Sequence, residues 1–191
     1  MSELLDSLEF SSDIVVYAMD ESGITTESDN RYSWSPVGVP PILEKNGSHE
    51  GINLVGSTCV LNNFHTVTDV YSKNETITSD KIISHFDYLI ELNPGKTVVV
   101  ILDNAKTHTS AAIERYYITK KNVLKFIFLP TYSPDMNPQE NMWNYLKAKL
   151  YRPSARSCIE ELIIDTKGII DELNLDSDKI HSLTNARHYL T

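Results

Sequence analysis

The chain has 191 residues, of which 41% are hydrophobic, enough to bury the core of one domain of ordinary size. Its net charge of -9 and pI near 5.1 argue against a simple nucleic-acid coat, because phosphate binding depends on Lys and Arg. The longest strongly apolar stretch has five residues, and the N-terminus lacks a basic region followed by an apolar run, so neither a membrane span nor a secretory signal is expected. The two cysteines lack CxxC spacing, which argues against a disulfide framework and a thiolate zinc site.

The first third of the chain is predicted to form strands. A short apolar, β-branched run at residues 14–19 ends at Asp20 and is typical of a buried strand with acids at its C-terminal end. A second strand is predicted at 31–35, where proline and glycine stop it. Alternating residues predict a strand at 52–60, and two asparagines then turn the chain into another at 64–71. The sheet is therefore expected to begin antiparallel.

Helices and strands alternate in the middle of the chain. Apolar residues at helical spacing predict a helix over 79–92. A buried strand at 97–102 follows and, like the first strand, ends in an acid, Asp103. A helix at 110–119 and a short strand at 124–129 come next. Strands first and αβα elements afterwards imply an α/β fold in which helices pack on the faces of a mixed sheet.

A third acid, Glu140, lies at the start of a predicted helix. Asn137 is a capping residue, Pro138 suits the first helical position, and Glu140 stands where the acidic member of a capping box is found. This helix is expected to run to about Leu150, and a last helix is predicted near 159–173.

The three acids suggest a metal site. Neighbouring strands lie about 4.8 Å apart, so one divalent cation can contact both Asp20 and Asp103 if their strands are adjacent. Mg²⁺ prefers oxygen ligands and keeps waters or substrate phosphates on its other positions, and Glu140 would supply a third carboxylate. Two such ions about 4 Å apart can stabilise the attacking and leaving oxygens of a phosphoryl displacement, which is nuclease and strand-transfer chemistry.

Each acid also has a simpler interpretation. Asp20 and Asp103 are equally explained as residues that end strands at turns. Glu140 on its own is explained by its capping box. These roles are compatible with catalysis, because the positive end of the helix keeps Glu140 ionised, as a metal ligand must be. Spacing alone leaves the alternatives open.

Charge is unevenly distributed. Residues 104–159 hold nine Lys or Arg against three acids, a local charge of +6, whereas residues 1–30 hold eight acids and no base. One region is therefore suited to a polyanion and another would repel it, although solvated helix faces give the same pattern. Four basic residues follow the predicted catalytic helix and are interpreted as a track for the DNA backbone: Lys147, Lys149, Arg152 and Arg156.

Four further residues stand close to the acids in sequence. Glu21 would point away from Asp20 in a continuing strand and is left out of the predicted site. Asn104 and His108 either orient Asp103, contact phosphate or cap the next helix, and His108 is the preferred candidate for a DNA contact. Trp143 shares a helix face with Glu140, where core packing is favoured over stacking on a base.

The surroundings of Glu140 and Asp103 resemble those of a known family. Residues 129–143, LPTYSPDMNPQENMW, are similar to the loop and helix carrying the third acid in DDE transposases of the mariner superfamily, particularly its prokaryotic insertion-sequence branch. Residues 101–108, ILDNAKTH, resemble the segment with the second acid, and 36 residues separate Asp103 from Glu140. Gln139 stands where the family more often has an apolar residue.

The resemblance extends over roughly residues 14–150, with residues 19–22 and 34–38 similar to the first-acid region. It implies a ribonuclease-H-like fold with a mixed five-stranded sheet and helices on both faces. It also implies two Mg²⁺ or Mn²⁺ ions held by Asp20, Asp103 and Glu140, and hydrolytic nicking followed by transfer of a 3′-hydroxyl into target DNA.

Partners and domain organisation follow from the same resemblance. Transposon ends and target DNA are the expected partners, with a homodimer in the DNA complex, no membrane partner and a cytoplasmic location at the nucleoid when DNA is bound. Residues 1–191 are expected to form a single catalytic domain, with a core at about 14–150 and a helical segment at about 155–190. The N-terminal helix-turn-helix domain usual in the family is not expected.

Two other functions remain open at this point. One is a different ribonuclease-H-like nuclease acting on hybrids or junctions. The other is a non-catalytic assembly or regulatory module derived from a transposase, which would use its acidic surface to pair with a basic partner.

Overall fold

The computed structural model describes residues 13–27, 36–39, 45, 47–61, 63–130, 136–152 and 154–184. The strand predicted at 31–35 lies outside these ranges, as do Asn62 of the predicted turn and residues 131–135 of the loop before Glu140. Within the described ranges, no helix is long and apolar enough to cross a membrane.

Five strands form one mixed sheet in the order β3-β2-β1-β4-β5. β1 is antiparallel to β2, β2 is antiparallel to β3, and β4 is parallel to both β1 and β5. The strands are β1 Ile14–Thr25, β2 Gly51–Cys59, β3 Thr66–Ser72, β4 Thr97–Leu102 and β5 Leu124–Phe128. The predicted antiparallel start and mixed sheet are confirmed.

The helices lie close to their predicted positions. Ser110 caps one of them by accepting a hydrogen bond from the Ile113 N–H. The helices are α1 Ser79–Leu92, α2 Ala111–Lys120, α3 Gln139–Leu150, α4 Ile159–Asn174 and α5 Ser177–Thr184. The last predicted helix is thus followed by a further short one.

The sheet buries both of its faces. On one face, Tyr17 and Met19 of β1 pack in a cluster with Phe86 of α1 and Ile113 of α2. On the other, side chains of β2 pack against α3 and α4. Because side chains alternate along a strand, Asp20 and Glu21 point to opposite faces, Asp20 toward the α3 side.

The first strand is longer than predicted. β1 continues past Asp20 to Thr25, so Asp20 lies within the strand and not at its end. Residues 20–25 include two acids and a glycine, which disfavour a strand on their own. Pairing with β2 over the whole range from Tyr17 to Thr25 holds them extended, a tertiary contact that outweighs local propensity.

Candidate active site

The parallel pairing of β1 and β4 places two of the predicted acids side by side. The last pair in the register is Ala18 with Ile101, so two residues further Asp20 lies level with Asp103. Residues that are level in neighbouring strands point to the same face. The predicted adjacency of the two strands is confirmed, although only Asp103 follows the end of its strand.

The third acid, Glu140, is attached to β1 through Asn137. The Asn137 side chain accepts a hydrogen bond from the Gln139 N–H at 3.1 Å and donates one to the Met19 carbonyl at 2.9 Å. Asn137 therefore caps helix α3 and ties its start to the residue before Asp20. The predicted capping box is only half formed, since the Glu140 carboxylate accepts no hydrogen bond from a described residue.

Helix α3 also lies unusually close to the sheet beside Asp20. Gly56 of β2 pairs with Asp20, and a Cβ atom there would lie 2.7 Å from Cζ2 of Trp143 and 2.9 Å from Nε2 of Gln139. Gln139 is fully buried and accepts a hydrogen bond from the Thr58 hydroxyl at 2.7 Å. The preferred interpretation of Trp143 as a core residue is confirmed by its burial against β2.

The pKa of the Asp20 carboxyl is raised by its surroundings. Burial raises the pKa of Asp20 from 3.8 to about 7, with further contributions from the charges of Glu140, Glu21 and Asp103. In the described part of the chain, no three His, Cys, Asp or Glu side chains are already gathered closely enough to hold an ion. The charges of Glu140 and Asp103 nevertheless act on Asp20, so the three carboxylates lie near enough to repel one another.

His108 and Glu21 complete the surroundings of Asp103. The buried His108 ring donates from Nδ1 to Oδ1 of Asp103 at 2.8 Å, and its Nε2 lies 3.0 Å from Oε1 of Glu21. Burial disfavours the charged ring, but the hydrogen bond and charge of Glu21, together with Asp103, raise the pKa of His108. Asn104 instead donates to the Leu129 carbonyl at 2.6 Å and has a structural role.

The contacts of His108 and Glu21 bear on two predictions. A DNA contact by His108 does not fit a buried ring with both nitrogens hydrogen-bonded to carboxylates. Glu21, omitted from the site, is connected to it through His108, because it points to the face where the segment after β4 lies. The orientation of Glu21 away from Asp20 is as predicted, but its partner His108 lies 87 residues later and has no local signal.

Two of the four residues in the predicted basic track form ion pairs. Arg152 forms an ion pair with Glu161 at 2.8 Å. Arg156 is buried, pairs with Asp165 at 2.9 Å and donates to the Leu150 carbonyl at 2.7 Å. Helix α4 brings these acids onto the two arginines. The burial of Arg156 does not fit a contact with DNA, whereas Arg152 is partly exposed and its contact stays a prediction. Lys147 and Lys149 have no ion pair with a described residue, and they keep the predicted role.

We expect replacement of both Lys147 and Lys149 by Gln to weaken binding to duplex DNA and to reduce the slope of log K against log salt by nearly 2. Each lysine that neutralises a phosphate contributes about 0.9 to that slope. Filter-binding or fluorescence-anisotropy titrations over a range of salt concentrations would measure it. Lys120→Gln, which breaks an ion pair with Asp87 outside the track, is the control, and an unchanged slope in the double lysine variant would refute the DNA contact.

Asn137 gives a second prediction, on stability. Asn137→Ala removes the helix cap and leaves the buried Met19 carbonyl without its donor, at an expected cost of about 1–3 kcal/mol. Asn137→Ser keeps a capping oxygen but cannot reach that carbonyl, so it should recover about 1 kcal/mol. Urea unfolding would measure both. Wild-type stability in the Ala variant would contradict the tie between α3 and β1.

A second constellation has the hydrogen-bonding order of a hydrolase triad. The Ser57 hydroxyl lies 2.8 Å from Nε2 of His85, and Nδ1 of His85 lies 2.7 Å from Oδ2 of Asp69. Ser57 and His85 are both fully buried, so a substrate cannot reach them. This chain of hydrogen bonds joins α1 to β2 and β3, and we interpret it as structural.

Comparison with known proteins agrees with this geometry. The profile of a family described as DDE superfamily endonuclease matches residues 15–163. No curated protein sequence matches the chain. Among solved structures, the Mos1 transposase paired-end complex with the left transposon end is similar, with a TM-score of 0.69 and 18% identity over 96% of this chain and 55% of that one.

Two further Mos1 structures are similar. The Mos1 mariner paired-end complex with Mn has a TM-score of 0.70 and 18% identity over 98% of this chain and 57% of that one. The Mos1 transposase catalytic domain with raltegravir and Mg has a TM-score of 0.55 and 16% identity over 97% and 86%. At these identities the likeness establishes the fold, and the ribonuclease-H-like fold is confirmed. The chain spans 55% to 57% of the length of the two paired-end-complex chains.

Proposed function

This chain belongs to the DDE superfamily endonuclease family, and from that premise we propose that it is the catalytic domain of a DNA transposase. In this proposal Asp20, Asp103 and Glu140 bind two Mg²⁺ or Mn²⁺ ions and act in DNA strand cleavage and strand transfer. The observation that carries it is that Asp20 of β1 lies level with Asp103 and within reach of the charge of Glu140 at the start of α3, and that none of these carboxylates is paired with a described Lys or Arg.

The residues fit a hard divalent cation. All three offer carboxylate oxygens, the donors that Mg²⁺ and Mn²⁺ prefer. Asp103 accepts its side-chain hydrogen bonds from described residues at Oδ1, so its Oδ2 remains available. Burial and then the charge of Glu140 raise the pKa of Asp20, and a bound cation would offset both by favouring the charged carboxylate. The similar Mos1 structures include one with Mn and one with Mg, which supports the same choice of metal here.

The chain's own residues would divide the work as follows. Asp20 and Asp103 would hold the cation together with Glu140, and Asn137 keeps the start of α3 next to β1. Lys147 and Lys149, near the end of α3, contact the DNA backbone. The bound ions would supply Lewis-acid stabilisation of the attacking and leaving oxygens of an in-line phosphoryl displacement. Two of the similar Mos1 structures are paired-end complexes, one of them with the left transposon end, which supports DNA ends as substrates. We propose that this chain also acts there as a homodimer, because two ends must be cut together.

The test is nicking of supercoiled plasmid DNA with Mn²⁺. We expect the wild-type chain to nick and Asp20→Asn, Asp103→Asn and Glu140→Gln each to lose at least 100-fold in rate, because residues that act as a unit fail together. Glu75→Gln removes an exposed carboxylate that pairs with Lys81 and should leave nicking unchanged. Nicking that persists in all three site variants would come from a contaminating nuclease. A folded wild-type chain that binds Mn²⁺ and DNA without nicking would favour an assembly module.

A further inference from the structure

We propose that Glu21 and His108 are positioning residues that hold Asp103 in the orientation needed to bind a cation. His108 contacts Asp103 directly, and Glu21 acts on Asp103 through His108. This inference rests on the proposed function, because it assigns a role to two residues around a proposed metal ligand.

The contacts of Asp103 leave one oxygen fixed and the other open. Its Oδ1 accepts hydrogen bonds from the Ala105 N–H at 2.9 Å and from Nδ1 of His108 at 2.8 Å. Oδ2 accepts none from a described residue, and the side chain is 52% exposed. An exposed carboxylate without these two bonds would rotate among several orientations. The two hydrogen bonds to Oδ1 therefore fix the direction of Oδ2 and leave it free to bind a cation.

The His108 ring needs a second anchor of its own. A ring held at one nitrogen still swings about that bond, and metal-site histidines and carboxylates are commonly oriented by a further hydrogen bond behind them. Glu21 supplies this bond at Nε2, 3.0 Å away, with only 24% of its side chain exposed. The ring is fully buried, and the His108 N–H donates to the Ala105 carbonyl at 2.9 Å, which fixes its backbone too.

The two neighbouring acids of β1 thus contribute to one site from opposite faces of the sheet. Asp20 faces the α3 side, level with Asp103 and close to Glu140. Glu21 faces the opposite side. It lies beside Val55 of β2, which packs in the same buried cluster as Phe86 of α1, and its carboxylate contacts His108 there. A single strand therefore carries one direct ligand and one residue that sets the orientation of another.

A merely structural role for this pair makes a different prediction, and the chain contains a matched control. Asp69 and His85 form a second carboxylate–histidine pair, 2.7 Å apart, with a fully buried ring and a partly exposed carboxylate. Like Glu21, Asp69 lies on a strand. Asp69→Ala and Glu21→Ala should therefore lower the melting temperature similarly, and only Glu21→Ala should change metal binding.

The experiment is a Mn²⁺ titration of the full chain, with free Mn²⁺ followed by electron paramagnetic resonance and melting temperatures measured in EDTA. We expect Glu21→Ala to weaken Mn²⁺ binding at least 10-fold, the usual effect of losing such an outer contact, and Asp69→Ala to bind like the wild type. Glu21→Gln retains an oxygen that can accept from Nε2 and should recover most of the affinity.

The outcomes separate this inference from the proposed function. If Asp103→Asn loses Mn²⁺ binding while Glu21→Ala binds like the wild type, the positioning role is overturned and the metal site stands. A Gln variant as weak as the Ala variant would contradict positioning by a hydrogen bond. If the wild type and Asp103→Asn bind Mn²⁺ equally, the proposed metal site itself fails, and the positioning role fails with it.

Discussion

Asp20→Asn is expected to raise the melting temperature of the metal-free protein and to abolish nicking. Burial, the charge of Glu140 and the other nearby carboxylates raise the pKa of Asp20 from 3.8 to about 7 in the folded chain. The folded protein therefore binds this proton more tightly than the unfolded chain does. The resulting stabilisation is complete below pH 4 and is lost as the pH rises through 7. Asn cannot ionise, so the variant avoids that loss.

The measurement is a pair of thermal melts at pH 5 and pH 8 in EDTA. The difference between Asp20→Asn and the wild type should grow with pH and reach on the order of a few kcal/mol at pH 8, which is several degrees for a domain of this size. Mn²⁺ should stabilise the wild type at pH 8 and have little effect on the variant. The control is Asp103→Asn, whose more exposed carboxylate should give a smaller gain in EDTA and the same loss of the Mn²⁺ response.

A variant less stable than the wild type at pH 8 in EDTA would contradict the raised pKa of Asp20, which depends first on its burial and then on the neighbouring acids. Because the carboxylate of Asp20 is isosteric with the Asn amide, a change in packing does not explain a gain. A gain in stability at the expense of activity is the signature of a residue kept for function.

The sequence predicted most of the sheet because its signals there are local. Apolar runs at residues 14–19 and 97–102 indicate buried strands, and an acid follows each run. Two parallel neighbours then bring those acids together whatever the rest of the chain does. The residue type of Asn137 and its spacing from Glu140 likewise predict the start of α3.

Contacts between distant segments were not predictable in the same way. The extension of β1 to Thr25 depends on pairing with β2, and the burial of Arg156 depends on Asp165 from a later helix. The bond between Glu21 and His108 joins residues 87 positions apart. No local pattern encodes these partners. The errors therefore fall on charged residues, whose role is set by what lies opposite them in the fold.

Gly56→Ala is expected to be among the most damaging single changes in the sheet, although it adds only one methyl group. That methyl would lie 2.7 Å from Cζ2 of Trp143 and 2.9 Å from Nε2 of Gln139, closer than such atoms can approach. Since both contacts are buried parts of α3, the helix must move away from β2. Overpacking of this kind costs about 1–3 kcal/mol.

The displacement should reach the active site, because Glu140 directly follows Gln139 in α3. A shift of about 1 Å in a group that positions reactants can lower the rate about 100-fold. We therefore expect Gly56→Ala to lose both stability in urea and most of its nicking.

Gly168→Ala is the matched control. Gly168 lies exposed within α4, where an added methyl group would meet open space, so alanine there should stabilise the chain by about 0.5–1 kcal/mol and leave nicking unchanged. Equal behaviour of the two variants would mean that α3 does not depend on a glycine beside Asp20 for its close approach to the sheet.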